Sequence, residues 1–397
     1  MQRCRITLRL LAAIAILTGI FLGGAATAKT LSAIFIGAPE AVFDTKTQAC
    51  ELIDIPDISA QAFVDQNNLV HLLASAAVAR AMVGPDLNHL TRRCNVVYSS
   101  PKDTNPADFS DYNWLSGFFT TDGRNIAALV HTEFHGSQIP GMCDLPVTGP
   151  HSINFGCWWD TITYAVSHDG GNSFTVPKPP ANLVASLPYR YAKGDQGRPG
   201  GYRQPTGIVR IGSLYYAMIE NWPFRAQAFG TCLIRTANPF DPKSWRAWDG
   251  SDFTIEFVDP YRVADADPAR HLCQPVAPKE LPNIDSLSYL QAEGVFVATQ
   301  ITHDRRFGTP GVYLNMSPDL IHWSPPVLLT GLDTMLAAEP PGRWDYRYLS
   351  LLDPASTDRD FVTITNSPYL YYTRLDKLRG AYIRTLMRRQ IRLTVGE

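Results

Sequence analysis

The acids, histidines and arginines of this chain recur where apolar runs give out. Val130 leads into His131, Glu133 and His135, Ile219 into Glu220 and Asn221, Thr299 into Gln300, Thr302 and His303, and Thr365 into Asn366. Polar residues also open such runs: Asp57 and Gln61, Asp111 and Asn113, Tyr202 and Arg203, Asp285, then Asp345 and Arg347. Hydrolysis of a glycosidic bond needs a carboxylic acid to protonate the leaving oxygen and a carboxylate opposite it. Glu220 closes the run Leu214–Ile219 beside Trp222, surroundings that raise a carboxyl pKa and suit an acid or a ligand-binding group. Asp57 follows Pro56, where capping a turn is the plainer role. His131, Glu133 and His135 alternate, so a strand presents all three on one face. Two imidazoles and a carboxylate are a metal-ligand set. No metal motif accompanies them, which favours binding of hydroxyl groups, and no metal or other cofactor is expected. The forks of Arg203 and Arg347 suit an anionic group, and surface ion pairs explain them equally well. Trp114, Trp158, Trp159, Trp222 and Trp344 suit either a sugar face or the core. Phosphate loops, serine elbows and CxxC pairs are absent from the sequence, which counts against cofactor enzymes.

The elements that must position these residues repeat. Two apolar strands flank a short polar hairpin at Ala62–Asp65 and Leu69–Leu73, at Leu115–Thr120 and Ile126–Val130, and at Thr206–Arg210 and Leu214–Ile219. The pattern returns at Leu287–Leu290 and Val295–Thr299, and at Tyr348–Leu352 and Phe361–Thr365. Asp122-Gly123, Ile211-Gly212 and Glu293-Gly294 mark turns. A second turn recurs after these pairs as Gly84–Leu90, Ser167–Phe174, Thr236–Trp245 and Ser317–Trp323. In it a Ser or Asp accepts backbone N–H groups while an aromatic tucks beneath the next strand. Five copies without helical periodicity predict an all-β fold, a five-bladed β-propeller of four-stranded antiparallel blades. Leu31–Val42 is expected to close the ring beside the last blade. A β-sandwich is the structural rival, but it needs no repeated unit.

Ser167–Phe174 resembles the Asp-box turn of sialidase-type propellers, and Ser317–Trp323 resembles its counterpart in the five-bladed glycosidases that cleave arabinans and fructans. The resemblance covers the repeat over most of the chain after residue 28. It implies a glycoside hydrolase whose polar strand ends gather at one mouth of a central tunnel. Those glycosidases carry a base or nucleophile Asp on the opening strand of the first blade and an acid Glu in the third. By blade order these positions fall on Asp57 and Glu220, with Asp111 or Glu133 as a helper carboxylate from the second blade. His131, His135, Arg203, Trp222, Gln300, His303, Asp285, Arg347 and Asn366 are then expected to hold the glycan. The Asn-Asp-Pro-Asn signature of fructan enzymes has no counterpart here, which counts against fructans. Two other readings stay open. One is a propeller that binds glycan or protein without catalysis. The other is a sialidase-like enzyme, whose tyrosine needs three arginines; Tyr202, Tyr346 and Tyr348 lie near Arg203 and Arg347, and no third arginine is evident.

Residues 1–28 carry Arg3, Arg5 and Arg9, an apolar run from Leu10 to Leu22, and Ala26-Thr27-Ala28, the pattern of a signal peptide cleaved before Lys29. The expected mature protein is one domain, residues 29–397, periplasmic or extracellular and monomeric. Cleavage moves the formal charge from −2 to −5, because the leader holds three arginines and no acid. Such a chain is a poor partner for nucleic acid, and no other stretch is long enough to insert in a membrane. The basic stretch Arg384–Arg392 reads as the solvent face of a last strand. Six cysteines remain, and in an exported chain they predict disulfides. Local closure pairs Cys50–Cys94, Cys143–Cys157 and Cys232–Cys273.

Overall fold

The computed structural model describes residues 29–146, 154–194, 199–263, 265–335, 343–380 and 382–396. The expected leader, residues 1–28, lies outside them. The described chain is nearly all β, arranged in consecutive antiparallel groups. The first is Gln61–Val64, Val70–Leu73, Val78–Gly84 and Thr91–Ser99. The second is Tyr112–Phe119, Ile126–His135, Trp158–Ser167 and Leu183–Ala185. In the third, Gly200–Arg203 and Val209–Ile211 both pair with Leu214–Trp222, followed by Gly230–Thr236 and Arg246–Ala247. The fourth is Ser286–Leu290, Val295–Thr302, Gly311–Ser317 and Val327–Gly331. The fifth is Trp344–Leu352, Tyr369–Asp376 and Arg384–Gly396, completed by the N-terminal strand Thr30–Phe35, as expected of Leu31–Val42.

Turn chemistry ends these strands where the sequence places it. Asp65 accepts the N–H groups of Asn67 and Leu69 at 2.8 Å each. Ser167 Oγ accepts from Gly171 N–H at 2.9 Å, and Asp169 from Ser173 N–H at 3.0 Å, with Phe174 buried beneath. Ser317 Oγ and Asp319 repeat this on Leu320 and on Ile321 and His322, while Trp323 donates its indole N–H to Leu320 O.

Apolar faces of neighbouring groups meet in chain order. Phe63 packs with Phe118 and Phe174 between the first and second groups, and Leu129 and Ile162 with Ile219 and Trp245 between the second and third. Met218 and Leu233 meet Leu287 and Phe296, and Val297 and Leu314 meet Leu351 and Ile391. Ala62 and Leu72 of the first group then pack with Leu352, Tyr371 and Leu386 of the fifth, so the order returns to its start. Each fully buried side chain of this size contributes about 1.5–3 kcal/mol. All three expected disulfides are formed.

One expected hairpin is corrected. Trp344–Leu352 pairs with Tyr369–Asp376, whereas Thr363–Ile364 runs parallel to Ser286–Leu290 of the fourth group. Asp353 causes the detour: its carboxylate accepts from Ala355 N–H and from the N–H and hydroxyl of Thr365, gathering the segment into a loop.

Candidate active site

Three residues of the strand Ile126–His135 share one buried face, as their alternation requires: His131, Glu133 and His135. The neighbouring strand adds Asp160, directly opposite Glu133 in the register and one diagonal step from His131, a spacing at which side chains touch. Glu133 Oε2 lies 2.9 Å from His135 Nε2, and its Oε1 lies 3.5 Å from His131 Nε2. Asp160 Oδ1 accepts the indole N–H of Trp158 at 2.7 Å and lies 3.6 Å from His131 Nε2. The His135 ring is stacked on Tyr112 at 4.5 Å and edge-on to Trp158 at 4.4 Å. Phe134 points the other way, into the core with Tyr191.

The third group brings Glu220. Gly201 pairs in parallel with Asp160, and a Cβ there would fall 1.9 Å from Asp160 O. Only glycine allows this approach, which carries Arg203, two residues on, to the Asp160 side. Arg203 lies opposite Glu220 in the register, with Nε 3.5 Å from the carboxylate and the guanidinium over the Trp222 ring at 5.3 Å. Its other charged neighbours are Asp160 and Glu133. Glu220 Oε1 accepts Ile284 N–H at 2.9 Å. Burial pushes its carboxyl pKa up, with Asp160 adding to the rise and Arg203 and the Ile284 bond opposing it. Burial, and then Glu220, push the adjoining Asp285 up to about 7 against N–H donation from Ile301 and Leu349.

The first and fifth groups meet at Asp57. Its carboxylate is ion-paired with Arg384 and accepts the Tyr348 hydroxyl at 3.1 Å. Tyr348 occupies a bulge between Arg347 and Ser350 with φ of +61°. A bulge re-aims a side chain, and a left-handed tyrosine is strained; here the tyrosine reaches Asp57. Burial, then Asp57, push the Tyr348 phenol up. The field of Asp57 also reaches Glu133, so the two halves of the site share one electrostatic network. Burial is the main reason that the Glu133 carboxyl is pushed well up.

Asp57, Glu133, His131, His135, Arg203, Glu220 and Asp285 are thus gathered, with Trp222 at the edge. Arg347 lies beside Tyr348 and pairs with Asp345 at 2.9 Å. Four expected residues take other places. Asp111 accepts His135 N–H at 2.9 Å and positions that strand end. Gln300 donates to Glu280 O and Asn315, His303 is exposed just past the end of its strand, and Asn366 is tied to the last strand, donating to Leu393 O and accepting Leu393 N–H. The sequence reading passes over Asp160 and takes Arg384 for a solvent-facing residue. Arg384 is instead largely covered, against Asp57 and Pro56 O. Both stand at the start of a third strand, which runs in the same sense as the first and opens at the same end. Among the described residues, His131, Glu133 and Asp160 are the set whose ligand atoms, all within 4.8 Å of one another, are placed to hold a metal ion.

No family model matches the chain, and no curated protein matches it in sequence. Among solved structures it is similar to the catalytic domain of a Coprinopsis cinerea GH62 alpha-L-arabinofuranosidase, with TM-score 0.48 and 11% identity over 90% of this chain and 97% of that one. It is also similar to a mutant form of Cellvibrio cellulosa alpha-L-arabinanase, with TM-score 0.43, 10% identity and coverage of 84% and 90%. For an endo-arabinase from Bacteroides thetaiotaomicron the TM-score is 0.44 at 8% identity, covering 90% and 99%.

Proposed function

We propose that this chain is an exported glycoside hydrolase, a five-bladed propeller whose strand ends form a glycan site at one mouth. The return of the core packing from the fifth group to the first supports the ring. The observation that carries the reaction is the different setting of two carboxyl groups in one network. Glu220 is largely buried beside Arg203 and the Ile284 N–H, with burial pushing its pKa up, while Asp57 faces a guanidinium and a phenol. Two carboxyls in unlike environments are the means by which one site runs acid and base steps together. Glu220 gives its proton to the leaving oxygen, and Asp57 activates water or attacks the anomeric carbon. Trp222, held under Arg203, offers a sugar-stacking face.

The sialidase-like alternative gains its third arginine in Arg384, but each guanidinium already has a carboxylate: Glu220 on Arg203, Asp345 on Arg347 and Asp57 on Arg384. That pairing favours a neutral sugar. The test is release of reducing sugar from a panel of plant and bacterial glycans by the purified protein, with Asp57→Asn and Glu220→Gln as controls. Saturable glycan binding without release would make the chain a binding propeller.

A further inference from the structure

We propose that His131, Glu133 and Asp160 form a binding site for one divalent transition-metal ion, of the Zn²⁺ type, beside the carboxyl pair. The inference goes beyond the hydrolase reading and does not depend on it. His131 is 4% exposed, yet its Nε2 has no hydrogen-bond partner. A buried ring nitrogen left in this way destabilises the fold unless something else meets it. Its two nearest acceptors, Glu133 Oε1 at 3.5 Å and Asp160 Oδ1 at 3.6 Å, stand beyond hydrogen-bond length.

Those separations fit something between the atoms. Ligands about 2.1 Å from a tetrahedral Zn²⁺ lie roughly 3.4 Å from each other. A neutral imidazole and two carboxylates also match the ion's charge, at a place where two buried acids lie opposite each other across a strand pair. The imidazole argues against Ca²⁺ and Mg²⁺, which take oxygen ligands in larger number. Both carboxylates are oriented from outside in the manner of metal ligands. Trp158 donates to Asp160 Oδ1 at 2.7 Å, and Glu133 Oε2 contacts His135 Nε2 at 2.9 Å. Three protein ligands leave a fourth position for water or a substrate oxygen.

The test is calorimetric titration of the chelator-treated full protein with Zn²⁺, together with the visible absorption spectrum of the Co²⁺ form. The expected result is one ion per chain at micromolar affinity or tighter, with the intense Co²⁺ bands of a tetrahedral site. Trp158→Phe, which removes the outer donor and keeps an aromatic ring beside His135, should weaken binding roughly 10–100-fold, and His131→Gln and Asp160→Asn should weaken it further. Melting of each metal-free variant checks that it has folded. Unchanged Zn²⁺ affinity in folded His131→Gln and Asp160→Asn would assign the ion to surface histidines and overturn the proposal. A weak octahedral Co²⁺ spectrum from the wild type, which needs no variant, would overturn it as well. Neither result touches the roles of Glu220 and Asp57, because no substrate enters the experiment.

Discussion

Replacing Glu220 with Gln removes a transferable proton and little else. The glutamine carbonyl can still accept Ile284 N–H, the bond that holds Glu220 Oε1 at 2.9 Å. Arg203 loses one carboxylate but keeps the fields of Asp160 and Glu133, so the fold should persist. General acid catalysis contributes about 10²–10⁴ in rate, a barrier change of roughly 2.7–5.4 kcal/mol. That full loss is expected on an unactivated oligosaccharide, whose alkoxide leaves poorly without a proton. A nitrophenyl glycoside needs little protonation and should lose far less. The assay is kcat/KM for wild type and E220Q on both substrates.

The pH profile adds a second readout. The acid must be protonated to work, and burial pushes the Glu220 carboxyl up, so wild-type activity on the oligosaccharide should extend above the ordinary carboxyl range and fall as pH passes the raised value. In E220Q that alkaline limb should vanish. Equal losses on the two substrates, or an unchanged alkaline limb, would refute the acid assignment.

Three further outcomes follow from the same contacts. Arg384→Met strips the counter-charge from Asp57 in a largely buried pair and should cost about 2–3 kcal/mol in urea denaturation, the low side of a buried ion pair because Asp57 is partly exposed; an unchanged midpoint would show that the pair holds nothing. Asp285, with its pKa raised to about 7, favours the protonated form in the fold. Stability from this group is therefore full below about pH 4, declines as pH rises towards 7 and is level above; Asp285→Asn should flatten that decline, and identical slopes would contradict the burial argument. Removing the Cys143–Cys157 bridge, with a sequence separation of 14, by paired serine substitution should cost about 3 kcal/mol, read as a lower thermal midpoint.

Hairpins joined by a turn are legible because both strands carry their signal locally. Ile126–His135 and Val295–Thr302 begin where their apolar runs begin. Phe361–Thr365 misleads because a short apolar run states that it is buried without stating which sheet buries it. Its partner, Ser286–Leu290, lies more than seventy residues earlier. The disulfides are legible since each closes within neighbouring elements. Tyr348 stands out in the sequence only for its proximity to Arg347; the bulge and positive φ that aim it at Asp57 leave no mark in the residue types.

The missed site residues expose a rule about strand direction. In an antiparallel group the first and third strands run the same way, so the end that gathers first-strand starts also gathers third-strand starts. Applying this to the second group finds Asp160 at the head of Trp158–Ser167, and applying it to the fifth finds Arg384 opening Arg384–Gly396. The latter placement has a consequence for assembly. Arg384 and Asp57 are 327 residues apart in sequence, and they meet where the last group packs against the first. Closing so long a loop costs only slightly more entropy than closing one half its length, so the pairing is accessible once both groups have formed. The proposed base is therefore completed only when the N- and C-terminal strands have joined, and a chain that leaves that seam open lacks the counter-charge that fixes Asp57 in the site.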